Sequence, residues 1–161
     1  MHLLACSKKI SIEYLWKPSR TLLLREENHA LVVEGNILRR SQVYQLLKKW
    51  LLMQSKNYFL PLVKQQAAMT GLGYKNVRCK NQKTRWGSCS EHGNINLNIQ
   101  LLFLPEYLVK HVILHELCHT KFLNHSRDFW KLVSTVAPSY KEHEHELKKG
   151  RSYIPKWLTR L

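Results

Sequence analysis

The reading of this chain turns on Pro105-Glu106-Tyr107-Leu108-Val109-Lys110-His111-Val112-Ile113-Leu114-His115-Glu116-Leu117-Cys118-His119. Pro105 suits the first position of a helix and Glu106 the positive end of its dipole. Leu108 and Val112 lead up to His115 on one stripe, and Val109, Ile113 and Leu117 form a second apolar line. The spacing predicts a buried helix running to about Leu123, with two histidines and a glutamate inside it. Residues i and i+4 share a helix face, so His115 and His119 both point at one tetrahedral Zn²⁺. Glu116, one step round, is offset from that face and placed to take a proton from a zinc-bound water. With nine histidines and ten glutamates in 161 residues, H-E-x-x-H arises in roughly 3% of shuffled sequences, so the motif is informative without deciding the matter alone. Burying these groups without a partner costs kilocalories, which a metal removes.

A catalytic zinc needs a third protein ligand, and His125 is the leading candidate. Asn124 tolerates a left-handed turn that brings His125 back over the His115/His119 face, and Ser126 then caps a second helix ending before Pro138. Ser139 to Glu142 has capping-box spacing for a third helix, which Lys148, Lys149 and Gly150 end. His111, four residues before His115, reads as a core or supporting residue rather than a ligand. The run Glu142-His143-Glu144-His145-Glu146 reads mostly as a solvated face, with His143 or His145 as outside candidates for the site. Cys118 reads as a small core residue.

Working outward, the chain is predicted to be α+β: small N-terminal and central antiparallel strands, with long helices carrying the H-E-x-x-H motif. Residues 1–36 read as a β-meander and 41–70 as a helix that Pro61 should kink or split. Residues 75–99 read as strands, with a hairpin about Asn81-Gln82-Lys83; 105–150 hold the helices and 151–161 a short tail. The length fits one domain over 1–161. In Asn94-Ile95-Asn96-Leu97-Asn98-Ile99 the asparagines share one face, which either meets water or binds a ligand. This strand is the expected edge over the metal, with Asn96 and Asn98 as candidate substrate contacts. Arg85, Trp86 and Ser88 are candidates for the same cleft, the alternatives being an ion pair for Arg85 and core packing for Trp86.

The formal charge is +15, and no acidic residue occurs between Glu34 and Glu91, where eleven Lys and Arg residues fall. The basic stretch 39–85 is either a solvated face or a surface for a polyanion such as nucleic acid or a nucleotide. Four cysteines without a C-x-x-C pair read as reduced thiols of a cytoplasmic protein. Met1 to Cys6 lacks the basic and apolar regions of a signal peptide, and no apolar window is long enough to span a bilayer.

Arg85-Trp86-Gly87-Ser88-Cys89-Ser90, Gly93 to Leu97, His115 to His119, Asn124-His125-Ser126 and Phe129-Trp130 together resemble the YgjP-like metallopeptidase domain, related to the SprT-like and WLM zincins. The resemblance implies a minimal zincin-like fold with one Zn²⁺ on His115, His119 and His125 and Glu116 as general base. The expected activity is cleavage of a peptide or unfolded protein. The resemblance leaves two alternatives open: a nucleoside triphosphate (UTP) pyrophosphatase and a DNA-associated SprT-like protease. The first lacks a phosphate-binding G-x-x-x-x-G-K-[ST] loop.

Overall fold

The computed structural model describes residues 1–159. Two short strands, β1 (His2–Leu3) and β2 (Lys8–Lys9), pair antiparallel and open the chain. A three-stranded sheet follows from β3 (Ser11–Trp16), β4 (Leu23–Glu27) and β5 (Ala30–Gly35). The long helix α1 (Arg40–Thr70) leads to a second sheet of β6 (Asn76–Lys80), β7 (Gly87–Cys89) and β8 (Asn94–Asn98). After a 3-10 turn at Ile99–Phe103 come α2 (Glu106–Cys118), α3 (Arg127–Val136), α4 (Tyr140–Leu147) and α5 (Lys156–Thr159).

Neither sheet is a simple up-and-down arrangement. The first runs β3-β5-β4, with β3 parallel to β5 and β4 antiparallel to it, so residues 1–36 do not form the expected meander. The second runs β6-β8-β7, with β8 parallel to β6 and antiparallel to β7. The hairpin expected about Asn81–Lys83 therefore does not form. The physical reason is the same in both sheets: the strand with the most buried side chains takes the centre. In β5, Leu31 and Val33 are fully buried, and in β8 Ile95 and Leu97 are. A central strand satisfies its backbone on both edges, which suits the strand that sees least water.

Helix α1 passes through Pro61 without interruption. Proline removes the hydrogen bond to the carbonyl four residues earlier, here that of Asn57. Pro61 and Asn57 are both exposed, so the loss of that donor falls on the solvent side of the helix. The helix stops at Gly71, whose φ of 67° gives the left-handed turn that closes many helices.

One core joins these pieces. Leu47, Leu51, Phe59 and Val63 of α1 meet Ile95 and Leu97 of β8 and Val109, Ile113 and Leu117 of α2. The first sheet is tied on by Trp50, whose indole N–H donates to Glu26 Oε2 at 3.0 Å. The C-terminal segment is more than a tail. Leu158 is buried and Trp157 stacks on Tyr44 of α1 with ring centroids 5.6 Å apart. The last two residues of that expected tail lie outside the described residues. Among the described residues no helix is long and apolar enough to cross a membrane.

Because α1 already holds Pro61 in an unbroken, water-facing turn, Pro61→Ala should restore a backbone hydrogen bond at no packing cost. The expected gain is about 1–3 kcal/mol in urea denaturation; an unchanged or lower midpoint would show that the proline is needed where it is.

Candidate metal centre and cleft

Nine of the thirteen residues of α2 are buried, including His111, Glu116 and the apolar lines on either side. The helix is shorter than its periodicity suggests, ending at Cys118 instead of about Leu123. His119 occupies its C-cap, and its Nδ1 lies 2.9 Å from the carbonyl of Phe122. That contact turns the chain early and makes Nδ1 the protonated nitrogen, leaving the Nε2 lone pair of His119 free. The chain bends back to His125 without the expected left-handed turn, since Asn124 keeps a negative φ, and His125 Nε2 lies 3.1 Å from Nε2 of His115. Ser126 then caps α3 by accepting from the Phe129 N–H at 3.3 Å, as the sequence suggested. Ser139 makes no corresponding side-chain bond at the start of α4.

His115, His119 and His125 thus offer nitrogen atoms within 4.8 Å of one another. Burial holds the His119 imidazole toward the neutral form, partial desolvation does the same for the more exposed His125 ring, and neighbouring imidazoles add to the effect. Neutral nitrogen ligands of this number fit a tetrahedral zinc site with one position left open. Phe129 stacks on His119 at 4.4 Å between centroids, and Trp130 stacks on His125 at 5.6 Å. These two aromatics are the walls of the trio.

Glu116 is 6% exposed and its Oε2 has no hydrogen-bond partner. Burial pushes its carboxyl up to about 8, against a downward pull from Arg85 and a further upward push from Glu144. A buried carboxylate with a free oxygen, lining one cleft with a histidine of the trio, has the chemistry of a site built around a cation. Gly87 of β7 presses on it: a Cβ there would stand 2.6 Å from Glu116 Oε1 and 2.8 Å from its Cγ.

A cleft of about 370 Å³ opens between the 84–87 segment, α2 and α4, lined by Arg85, Trp86, Gly87, His115, Glu116 and Lys148 among others. Arg85 and Trp86 are therefore at the cleft, as expected. Asn96, Asn98 and Ser88 are not, and the expected edge role of the Asn94 strand is corrected with them. β8 is the central strand, and the free edge beside α2 belongs to β7. Gly87 and Cys89 pair with Leu97 and Ile95 and face α2, so Ser88 and Asn96 point to the opposite face, where Asn96 Nδ2 donates to Ser88 Oγ at 3.2 Å. Asn98 is fully buried and acts as a staple: Nδ2 donates to the carbonyls of Gln82 and Arg85, both at 2.8 Å, while Oδ1 accepts from the Gln100 N–H. It holds the loop that carries Arg85.

The sequence reading passed over Glu144. Its Oε1 lies 2.8 Å from His111 Nε2 and 3.4 Å from His115 Nδ1. The hydrogen bond with His111, then the nearby His115 ring, hold its carboxyl well below the usual carboxylate range. A signal was present: Tyr140, Glu144 and Leu147 stand at i, i+4, i+7, and Tyr140 stacks on Trp130 while Leu147 is buried. His143 packs on the His111 ring, 5.4 Å away, and His145 is exposed; neither belongs to the trio.

The YgjP-like metallopeptidase domain model matches residues 7–150. Among solved structures, the metallopeptidase zymogen of Pyrococcus abyssi abylysin is similar at 28% identity and a TM-score of 0.50, over 55% of this chain and 90% of that one. The metallopeptidase zymogen of Methanocaldococcus jannaschii jannalysin is similar at 23% identity and a TM-score of 0.49, over 55% and 92%. No curated protein sequence matches.

The staple role of Asn98 has a direct check. Asn98→Ala should cost about 3 kcal/mol or more by chemical denaturation, because it strands buried backbone groups. Asn96→Ala, at a half-buried pair, should cost less than about 1.5 kcal/mol. Equal losses would put the two asparagines in equivalent roles.

Proposed function

This chain belongs to the YgjP-like metallopeptidase family, and from that premise we propose that it hydrolyses peptide bonds in the cleft between β7 and α2. His115, His119 and His125 would hold Zn²⁺, and Glu116 would serve as general base. The observation that carries this reading is the gathering of the His115, His119 and His125 nitrogens within 4.8 Å of one another, with Glu116, whose second oxygen has no partner, lining one cleft with His115. When bound, the zinc ion supplies Lewis acidity toward a carbonyl and lowers the pKa of water toward about 7.

The protein's own groups do the rest. Glu116 Oε2 is the free acceptor in the buried site, so it takes the proton of the attacking water and returns it to the leaving amine. Arg85 holds positive charge near Glu116 and favours its ionised form. The free edge of β7 offers backbone N–H and C=O groups to an extended substrate, and Gly87 keeps that edge close to Glu116. Arg85 and Lys148 line the cleft and bear on its choice of substrate.

The peptidase reading is favoured over UTP hydrolysis by where the charge lies. The cleft carries the cations Arg85 and Lys148 together with the carboxylates Glu116 and Glu144, a poor field for a triphosphate. Lys48, Lys49 and Lys80 line a separate groove between α1 and β6, at the other edge of the sheet. Any nucleic-acid partner, as in the DNA-associated alternative, belongs at that groove. Four free thiols suit a reducing, cytoplasmic location.

Wild type and Glu116→Gln, assayed for zinc by mass spectrometry and against unfolded protein and nucleoside triphosphates, test the reading. About one zinc per chain is expected in both, with cleavage of protein by wild type alone. Hydrolysis of triphosphates without proteolysis would overturn it. Gly87→Ala should keep its zinc and lose activity about 10²-fold by displacing Glu116; full activity would remove β7 from the account.

A further inference from the structure

We propose that Glu144 is a positioning residue for the metal centre: anchored by His111, its carboxylate fixes the ring and tautomer of His115. The inference rests on the zinc reading above.

His111 and His115 stand one helical turn apart on α2, with ring centroids 6.2 Å apart. A single oxygen, Oε1 of Glu144, is hydrogen-bonded to His111 Nε2 at 2.8 Å and stands 3.4 Å from His115 Nδ1, a buried nitrogen with no hydrogen-bond partner of its own. His111 is 2% exposed, so the carboxylate is held by a group with almost no freedom of its own. A neutral imidazole carries its proton on one nitrogen and its lone pair on the other. A carboxylate at Nδ1 of His115 draws the proton there and leaves the lone pair on Nε2, the atom that meets His125. His119 reaches the same tautomer by a different route, through the Phe122 carbonyl. Two of the three imidazoles in the trio are thus oriented from behind, one by backbone and one by a carboxylate brought in from α4.

His111, His115 and Glu144 also satisfy the distance conditions for a metal of their own. That arrangement would need the lone pair on Nδ1 of His115, which puts the proton on Nε2 and withdraws the ring from His119 and His125. One ring cannot serve both sites in its neutral form. The three-histidine site keeps it because Nε2 already faces a second imidazole nitrogen, whereas Nδ1 faces an anion that accepts a proton.

Zinc affinity by chelator competition, with long-range ¹H–¹⁵N spectra of the imidazoles, tests the proposal on the full chain. Glu144→Gln should bind zinc 10- to 100-fold more weakly, and the His115 signals should shift from the Nδ1–H tautomer toward a mixture. Glu144→Asp, which keeps the charge on a shorter arm, should fall between Gln and wild type. If Gln does not fold, as judged by thermal unfolding of the apo form, the Asp variant carries the test. Glu142→Gln removes an equal charge from the exposed face of α4 and should bind zinc like wild type. Unchanged affinity and tautomer in Glu144→Gln would overturn the proposal and leave the zinc site standing. Two zinc ions per wild-type chain, one lost in Glu144→Gln, would overturn it in favour of a second metal. A wild type that binds no zinc would remove both readings.

Discussion

A helix buried on nearly every side has to carry His111, His115, Glu116 and His119 through the interior of the protein, and the rest of the structure answers that constraint. Apolar burial holds α2 in place: Val109, Ile113 and Leu117 alone contribute several kilocalories per mole at about 1.5–3 kcal/mol for each large aliphatic side chain. That same burial makes each polar group on the helix costly unless it finds a partner. His119 finds the Phe122 carbonyl, His111 finds Glu144, and His115 lies between Glu144 and His125. Glu116 finds none for its second oxygen. On this helix the unmet demand falls at His111 Nδ1, His115 Nδ1 and Glu116 Oε2, along the cleft these residues line.

The architecture around α2 follows from meeting it. The early end of the helix serves both His119 and the return of His125. The second sheet sets β7, its narrowest strand, against Glu116, and the match of Gly87 to that carboxylate leaves no room for a side chain. The loop before β7 is fixed by the amide of Asn98, so that Arg85 reaches the cleft from a loop pinned to the central strand. Helix α4 closes the opposite wall with Glu144, packed through Tyr140 and Leu147.

Much of this was legible in the sequence because it is local. The H-E-x-x-H spacing, the Ser126 cap and the apolar lines of α2 depend on residues within two helical turns of one another, although Asn124 does not take the left-handed turn expected of it. Strand pairing was less legible. Alternation in Asn94–Ile99 places Ile95 and Leu97 on a buried face, yet it does not show that Asn98 is buried on the other, nor which strand lies alongside. Both parallel pairs, β3 with β5 and β6 with β8, therefore went unseen, and with them the true free edge. Pro61 misled because its cost depends on whether water reaches the carbonyl of Asn57. Glu144 was hidden by composition: a run of alternating Glu and His reads as a wet surface unless Tyr140 and Leu147 are taken with it as one stripe.

The central claim is that three histidine nitrogens, and no cysteine or carboxylate of this protein, hold a zinc ion beside Glu116. X-ray absorption on the zinc-loaded wild type tests it most directly. The account requires three imidazole nitrogens at about 2.0–2.1 Å and one light-atom ligand from solvent. A sulfur shell near 2.3 Å, or fewer than three imidazoles, would contradict it.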